Sequence, residues 1–480
     1  MRYLFIFLSL ILFYSCNNYE GIDINKPSAY ISYPDNGDFI SDTLIVSAIA
    51  SDDIGIHYLE LWINQENTNI KDYDPPYEFI VDTRSLIDIE EGSSLELSVK
   101  AFDTSENESS LSTPIQIIID NEKPTSVILN PIIDENGLLQ FSWSQCRDLD
   151  FYAYVIMMNN VHFSFIDTIY SANDIQRTIS YNSNSAEFFK INVIDKGFKE
   201  SGSNSVQPVS FEFITVDPGV FKFGPNDVSK TVEAQFQLMS TEVTNLQYRS
   251  YLSVAKELNQ IDTINIGPWI KDNDGNILYD LENGYIKWDG STFYIDGIIN
   301  NHHIPYYPVN FVSWVGATHF AEFFNFRLPS EIEWEKASGG NGEFDYPWGS
   351  AYDENDNPIN EINSSNANYA NNEDVNNQIE PYEPGNGINQ LNEPGLAPVS
   401  LYQDDVSPFW FFNTCPNECY GFNHMAGNVW EWVTHENGYP SNRMSRGGSW
   451  KSTKQDLRVW STKSLESHAT VDNIGFRCAK

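Results

Sequence analysis

In HMAGNVWEWV, residues 424–433, an extended backbone puts Trp430 and Trp432 on one face and leaves Glu431 between Val429 and Val433 on the other. A carboxylate on an apolar face is costly unless it is hydrogen-bonded or bound to a cation. Gly427 lets a backbone carbonyl approach closely, as an oxygen-ligand site for calcium requires. The alternative is that Glu431 lies on the rim of a sheet, paired with an arginine such as Arg446, and residue chemistry leaves both readings open. Downstream, SRGGSWKSTKQDL runs from Ser445 to Leu457. Two glycines feeding Ser449 and Trp450 form either the rim of a reactive pocket or a tight turn, and the residues at Ser452 and Leu457 decide which.

Soft-ligand chemistry is sparse. The five cysteines are Cys16, Cys146, Cys415, Cys419 and Cys478. In an exported chain TCPNEC could close a small Cys415–Cys419 disulfide loop, whereas zinc needs a second pair or two suitably spaced histidines. The eight histidines are scattered, and His302 and His303 have no acidic or histidine partner at helical spacing. Neither structural zinc nor non-haem iron is expected.

The 480 residues allow two to four domains, and 41% hydrophobic with 14% aromatic content fits a folded chain. With 27 Lys and Arg against 67 Asp and Glu, the formal charge is -40, so nucleic acid is excluded as a partner by phosphate repulsion. The same acidity suits a protein bathed in divalent cations. Residues 1–15, MRYLFIFLSLILFYS, carry Arg2 and then an apolar run too short to span a bilayer, which reads as a signal peptide. Ser15 before Cys16 resembles the lipobox of bacterial lipoproteins, so Cys16 is the expected acylation site and 16–26 a tether. The chain is then an exported outer-membrane lipoprotein, facing the cell surface or the periplasm.

Three segments must position these residues. From 27 to 120 the pattern is all β: Leu95, Leu97, Val99 and Ala101 alternate with Glu96, Ser98 and Lys100, one face dry and one wet. ASDDIGIHYLELWIN, PPYEFIVDT and SVKAFDTSENES resemble bacterial Ig-like domains. From 121 to 210, FSWSQCRDLDFYAYVIMM and FFKINVIDKGFKESGSNS resemble a fibronectin type III domain with Trp143 in its core. From 211 to 480 the texture is α+β. Thr244 and Gln247 form a capping box, with Leu252, Ala255 and Leu258 at helical spacing. A second helix places Ala317, Phe320, Ala321 and Phe324 on one face, and a third starts at the Ser330–Glu333 capping box and stops at Gly339–Gly340. KDNDGN, ENG and WDGS predict hairpin turns. DNDGN resembles a calcium loop, but Ile277 stands where an EF-hand needs glycine. The acidic, Asn-rich stretch 353–390 reads as a solvated loop.

EVTNLQY, PVNFVSW, RLPSEIEWEKASGG, YPWGS, NANYAN, HMAGNVWEWV, RGGSW and GFRCAK occur in that order and closely resemble the formylglycine-generating enzyme, or sulfatase-modifying factor, domain over 211–480. The resemblance implies a C-type-lectin-like variant of the fold with little regular secondary structure and bound calcium. One calcium site would use Asn368 and the Tyr369 carbonyl, the other the Gly427 and Val429 carbonyls with Glu431, although His424 stands where the family has Asp or Asn. Trp430, Ser449 and Trp450 would form the pocket rim.

The resemblance implies that active members oxidise a sulfatase cysteine to formylglycine with copper(I) on two thiolates, whose matching positions here are Ser452 and Leu457. Neither side chain can replace a thiolate on copper(I), and 446–469 contains no cysteine. Copper is therefore not expected. The usual partner of Cys478 is a helix cysteine, which here is Ala321. The reading is a binding or structural module for a protein or glycan ligand. The alternative is an enzyme using a non-thiolate site for oxidative modification of a protein or small molecule.

Overall fold

Alternation along Ser94–Asp103 sends Leu95, Leu97, Val99 and Ala101 into a core where each is fully buried. A computed structural model describes residues 23–86, 90–159, 163–181, 188–264, 267–299, 302–340, 345–347, 367–369, 396–399, 421–435 and 442–480. Cys16, Cys415, Cys419 and all of the acidic stretch except 367–369 lie outside them. Ser94–Asp103 is central in a five-stranded sheet, with Ile56–Ile63 and Ile115–Ile119 beside it and Phe39–Ile40 and Glu66–Asp72 at the edges. A three-stranded sheet of Ser28–Tyr33, Thr43–Ser51 and Tyr77–Asp82 supplies the facing layer, whose Leu44, Val46 and Phe79 share that core. Ser98, expected on the wet face, is buried, because it stands opposite Trp62 of the neighbouring strand.

The second β region has a three-stranded sheet (Ile133–Glu135, Leu138–Ser142, Gln176–Ser180) and a four-stranded one (Phe151–Asn159, Phe163–Ile169, Phe188–Asp195, Glu200–Gly202). Trp143 is buried edge-on to Tyr154, their rings 5.4 Å apart, and the Tyr154 hydroxyl accepts a hydrogen bond from the Cys146 amide. The chain's internal contacts form two compact units. One is built on residues through Thr125 with Arg147–Ala153 and Val193–Ser201. The other is Ser126–Cys146, Tyr154–Asn192 and Gly202–Lys480.

Within the second unit the described residues form three helices, the first and third carrying the expected capping boxes. α1 (Asn245–Glu257) starts at the Thr244–Gln247 capping box. α2 (Trp314–Phe323) is capped by Ser313 and buries Ala317, Phe320 and Ala321. α3 (Glu331–Gly339) starts at the Ser330–Glu333 box and ends at Gly340 with φ 61°. KDNDGN turns the hairpin Trp269–Asp272/Ile277–Asp280, with Asp272 Oδ1 accepting the Asp274 and Asn276 amides. WDGS turns Ile286–Trp288 into Phe293–Ile295. Elsewhere this region uses short ladders, the largest being a four-stranded sheet ordered Thr462–Glu466, Asn442–Arg446, Trp430–Val433, Ile474–Gly475. No described helix is long and apolar enough to cross a membrane.

Candidate functional site

Trp430–Val433 is flanked on both sides by strands, so all four residues are buried. Trp430 and Trp432 join a core with Phe320, Ile474, Phe476 and Cys478. On the opposite face Glu431 is fully buried and its charge is met by Arg477. Arg477 Nε and Nη2 donate to Oε2 and Oε1, each at 2.7 Å, and Trp334 Nε1 donates to Oε2 at 2.7 Å. The other guanidinium donors reach the carbonyls of Met239 at 3.0 Å, Ser240 at 3.1 Å and Asn423 at 2.7 Å. Burial pushes the Glu431 carboxyl above its usual range, and Arg477 opposes that shift.

This arrangement fits the arginine-paired reading of Glu431, on a central strand in place of a rim. A carboxylate whose two oxygens are engaged by a guanidinium and an indole is an ion-pair partner, so it does not fit a calcium site. The arginine is also not Arg446. Arg446 is directly opposite Glu431 in the ladder, but its guanidinium goes to Glu335 at 2.7 Å and Glu331 at 3.1 Å, one turn apart on α3. Arg477 follows Gly475, the parallel neighbour of Glu431, by two residues and therefore lies diagonally on the same face.

Beside this pair, Asn368 and Gly427, assigned by resemblance to separate calcium sites, form one β-bridge. The Asn428 amide donates to the Asn368 carbonyl at 2.8 Å, while Asn428 Oδ1 accepts from Asn368 Nδ2 at 3.2 Å and the Ala397 amide at 2.9 Å. Gly427 has φ 83°, and a Cβ there would meet the Asn368 carbonyl oxygen at 2.4 Å, so glycine is required. Asn428 Nδ2 donates to Glu242 Oε1 at 2.9 Å. Glu242 is fully buried, its Oε2 has no partner, and burial raises its carboxyl to about 7. The sequence reading missed Glu242 as a site residue; its local mark is that it opens EVTNLQY, two residues before the Thr244 N-cap. Val429 packs with Tyr307 and Leu396, and Tyr369 with Tyr346, Ala367, Ala426 and Leu457.

The glycine turn is tight and closely packed. Gly447 and Gly448 have φ of 93° and 76°; an added Cβ would meet Trp334 at 3.0 Å from the first and Leu457 at 2.8 Å from the second. The expected rim is mostly interior, since Ser449 is fully buried and Trp430 is 4% exposed, leaving Trp450 as the member with accessible surface. Ser452 Oγ accepts the Ser449 amide at 3.1 Å and lies 3.2 Å from Ser449 Oγ, which accepts from Asn473 Nδ2 at 3.0 Å. Leu457 is fully buried. A hydroxyl already engaged and a core isobutyl group do not fit copper(I). The Cys478 thiol is raised well above its ordinary range by burial and packs in the same core as Ala321. A cleft of about 850 Å³ lies elsewhere in this unit, lined by Tyr251, Asp272, His319, Glu322 and Phe323 among others.

Residues 198–480 match the sulfatase-modifying factor enzyme 1-like domain, and residues 27–94 match the bacterial Ig domain. Among curated proteins, serine/threonine-protein kinase pkn1 of Chlamydia pneumoniae is 27% identical over 305 residues, covering 57% of this chain and 38% of that one. The inactive C-alpha-formylglycine-generating enzyme 2 of Mus musculus is 29% identical over 181 residues, 36% of this chain and 48% of that one. The chain spans under two fifths of the length of the pkn1 relative. Among solved structures, CarF is 22% identical, covers 56% of this chain and 98% of that chain, and has a TM-score of 0.34.

Proposed function

The chain belongs to the sulfatase-modifying factor enzyme 1-like domain family, and on that premise we propose that it binds a partner without turning it over. One observation carries this reading. The two thiolate positions of the copper-dependent enzymes hold Ser452, tied to Ser449, and Leu457, sealed in the core. The Mus musculus relative named inactive is a precedent for a family member without the oxidase activity. In this reading a C-type-lectin-like variant of the fold offers the surface around Trp450 to a glycan or protein. Residues 1–15 export the chain, Cys16 anchors it to the outer membrane, and the β regions hold the binding domain away from the lipid. The resemblance leaves Asn368 and Tyr369 as proposed calcium ligands.

Two experiments test it. Full-length protein loaded with copper(I) and mixed with a sulfatase-motif peptide is expected to yield formylglycine no faster than the metal-only control; a clear excess would sink the reading. A glycan and peptide array is expected to show binding that is lost in Trp450→Ala. An empty array, or a variant that binds as the parent does, removes the Trp450 surface from the account.

A further inference from the structure

Asp120 follows the strand Ile115–Ile119, Asp150 precedes Phe151–Asn159, and Asp195 ends Phe188–Asp195. All three fall in the first compact unit. One carboxylate oxygen from each lies within 4.8 Å of the others. Three oxygens spread evenly about 2.4 Å from one calcium ion are about 4.2 Å apart and two on opposite sides about 4.8 Å, so the cluster has the scale of a single shared ion.

The burial makes the cluster chemically demanding. Asp195 is fully buried and Asp120 is 2% exposed. Asp195 Oδ1 accepts the Lys199 amide at 2.7 Å, but its Oδ2 is buried with no partner. Asp120 Oδ2 accepts the Gly197 amide at 3.0 Å, and a Cβ on Gly197 would sit 2.5 Å from that oxygen, so the 195–199 turn is shaped to hold this carboxylate close. Among the described residues no cation forms an ion pair with any of the three. Lys199, which acts on Asp195, has its Nζ on Asp42 at 3.0 Å, and Lys196 lies over the Phe39 ring. Asp150 and Glu91 add further negative charge around Asp120. Three gathered carboxylates, one with an orphaned buried oxygen, are costly in their ionised form unless a counter-charge enters.

We propose that Asp120, Asp150 and Asp195 form a calcium site, with the orphaned Asp195 Oδ2 as a ligand and water completing the shell. Hard oxygen donors without nitrogen or sulfur select calcium over the transition metals. The site pins the turns at 147–153 and 193–201 to the end of the strand Ile115–Ile119, all within one compact unit.

Calorimetric titration of the EDTA-stripped, desalted full chain with calcium chloride tests it. The parent is expected to bind one equivalent more than Asp150→Asn or Asp195→Asn. Asp150 is only half-buried, so its variant keeps the count readable even where Asp195→Asn fails to fold. Thermal melts add an independent readout. In EDTA Asp195→Asn is expected to melt at or above the parent temperature, since it removes an uncompensated charge; in calcium it is expected to melt below the parent. A purely structural aspartate would lower both. Equal calcium stoichiometry in the parent and Asp150→Asn, or an equal calcium-induced rise in melting temperature in the parent and Asp195→Asn, overturns the site.

Discussion

Glu431 and Asp195 are both fully buried carboxylates, and the protein treats them in opposite ways. Around Glu431 every acceptor has a donor: Arg477 spreads its guanidinium over the carboxylate and three carbonyls, and Trp334 closes the second oxygen. Around Asp195 one oxygen accepts a backbone amide, the other has no hydrogen-bond partner, and two more carboxylates lie close by with no ion-paired cation among the described residues. The first charge is compensated internally and so is part of the scaffold. The second is left for something outside the chain to compensate, which is the physical mark of a ligand site.

The sharpest way to break this contrast is to remove the internal partner. Arg477→Met leaves Glu431 buried without its cation and is expected to cost about 3–5 kcal/mol by chemical denaturation, whatever the calcium level. A loss under about 1 kcal/mol would show that Glu431 is not held as described. Trp430→Ala comes next, at about 3–5 kcal/mol, because the ring fills a core with Trp432 and Phe476. Leu457→Ala is expected to cost about 2–4 kcal/mol, since the position that would carry a copper thiolate is packed interior. Trp450→Ala is expected to cost less, about 1–2 kcal/mol, because the ring is only partly buried against Tyr307, Leu396 and Val429, and to act chiefly on ligand binding.

The remaining effects are those of pH. Burial raises Glu242 to about 7, and burial with the charges of Asp195, Asp150 and Glu91 raises Asp120 to about 7. Both folded values exceed the unfolded ones, so between about pH 4 and 7 the folded state holds the extra protons and stability falls as pH rises. Glu242→Gln removes one such group while keeping the acceptor for Asn428. It is expected to gain more stability relative to the parent at pH 8 than at pH 5, read from paired urea midpoints in EDTA. Calcium is expected to flatten the Asp120 contribution only, and a chelator-insensitive slope would separate the two groups the other way.

Several elements were legible in the chain alone because their signals are local. The capping boxes at Thr244–Gln247 and Ser330–Glu333 act over three residues, the alternation from Leu95 to Ala101 follows the pleat, and WDGS carries its own turn chemistry. The replacement of two thiolates by Ser452 and Leu457 is also a matter of residue type, and no packing could restore the missing sulfur. The ordered motifs identified the family for the same reason.

Partner choice was decided only in three dimensions. Glu431 has two arginines within reach of its sheet, and whether Arg446 or Arg477 takes it depends on α3 offering Glu331 and Glu335 to the first. Trp430 and Ser449 became interior because strands closed over both edges of 430–433. Asp120, Asp150 and Asp195 come from three separate segments, and the sequence treats them as three ordinary acids. Their meeting depends on long loops closing around turns such as the one at Gly197, and neither composition nor periodicity encodes which distant carboxylates will share a volume.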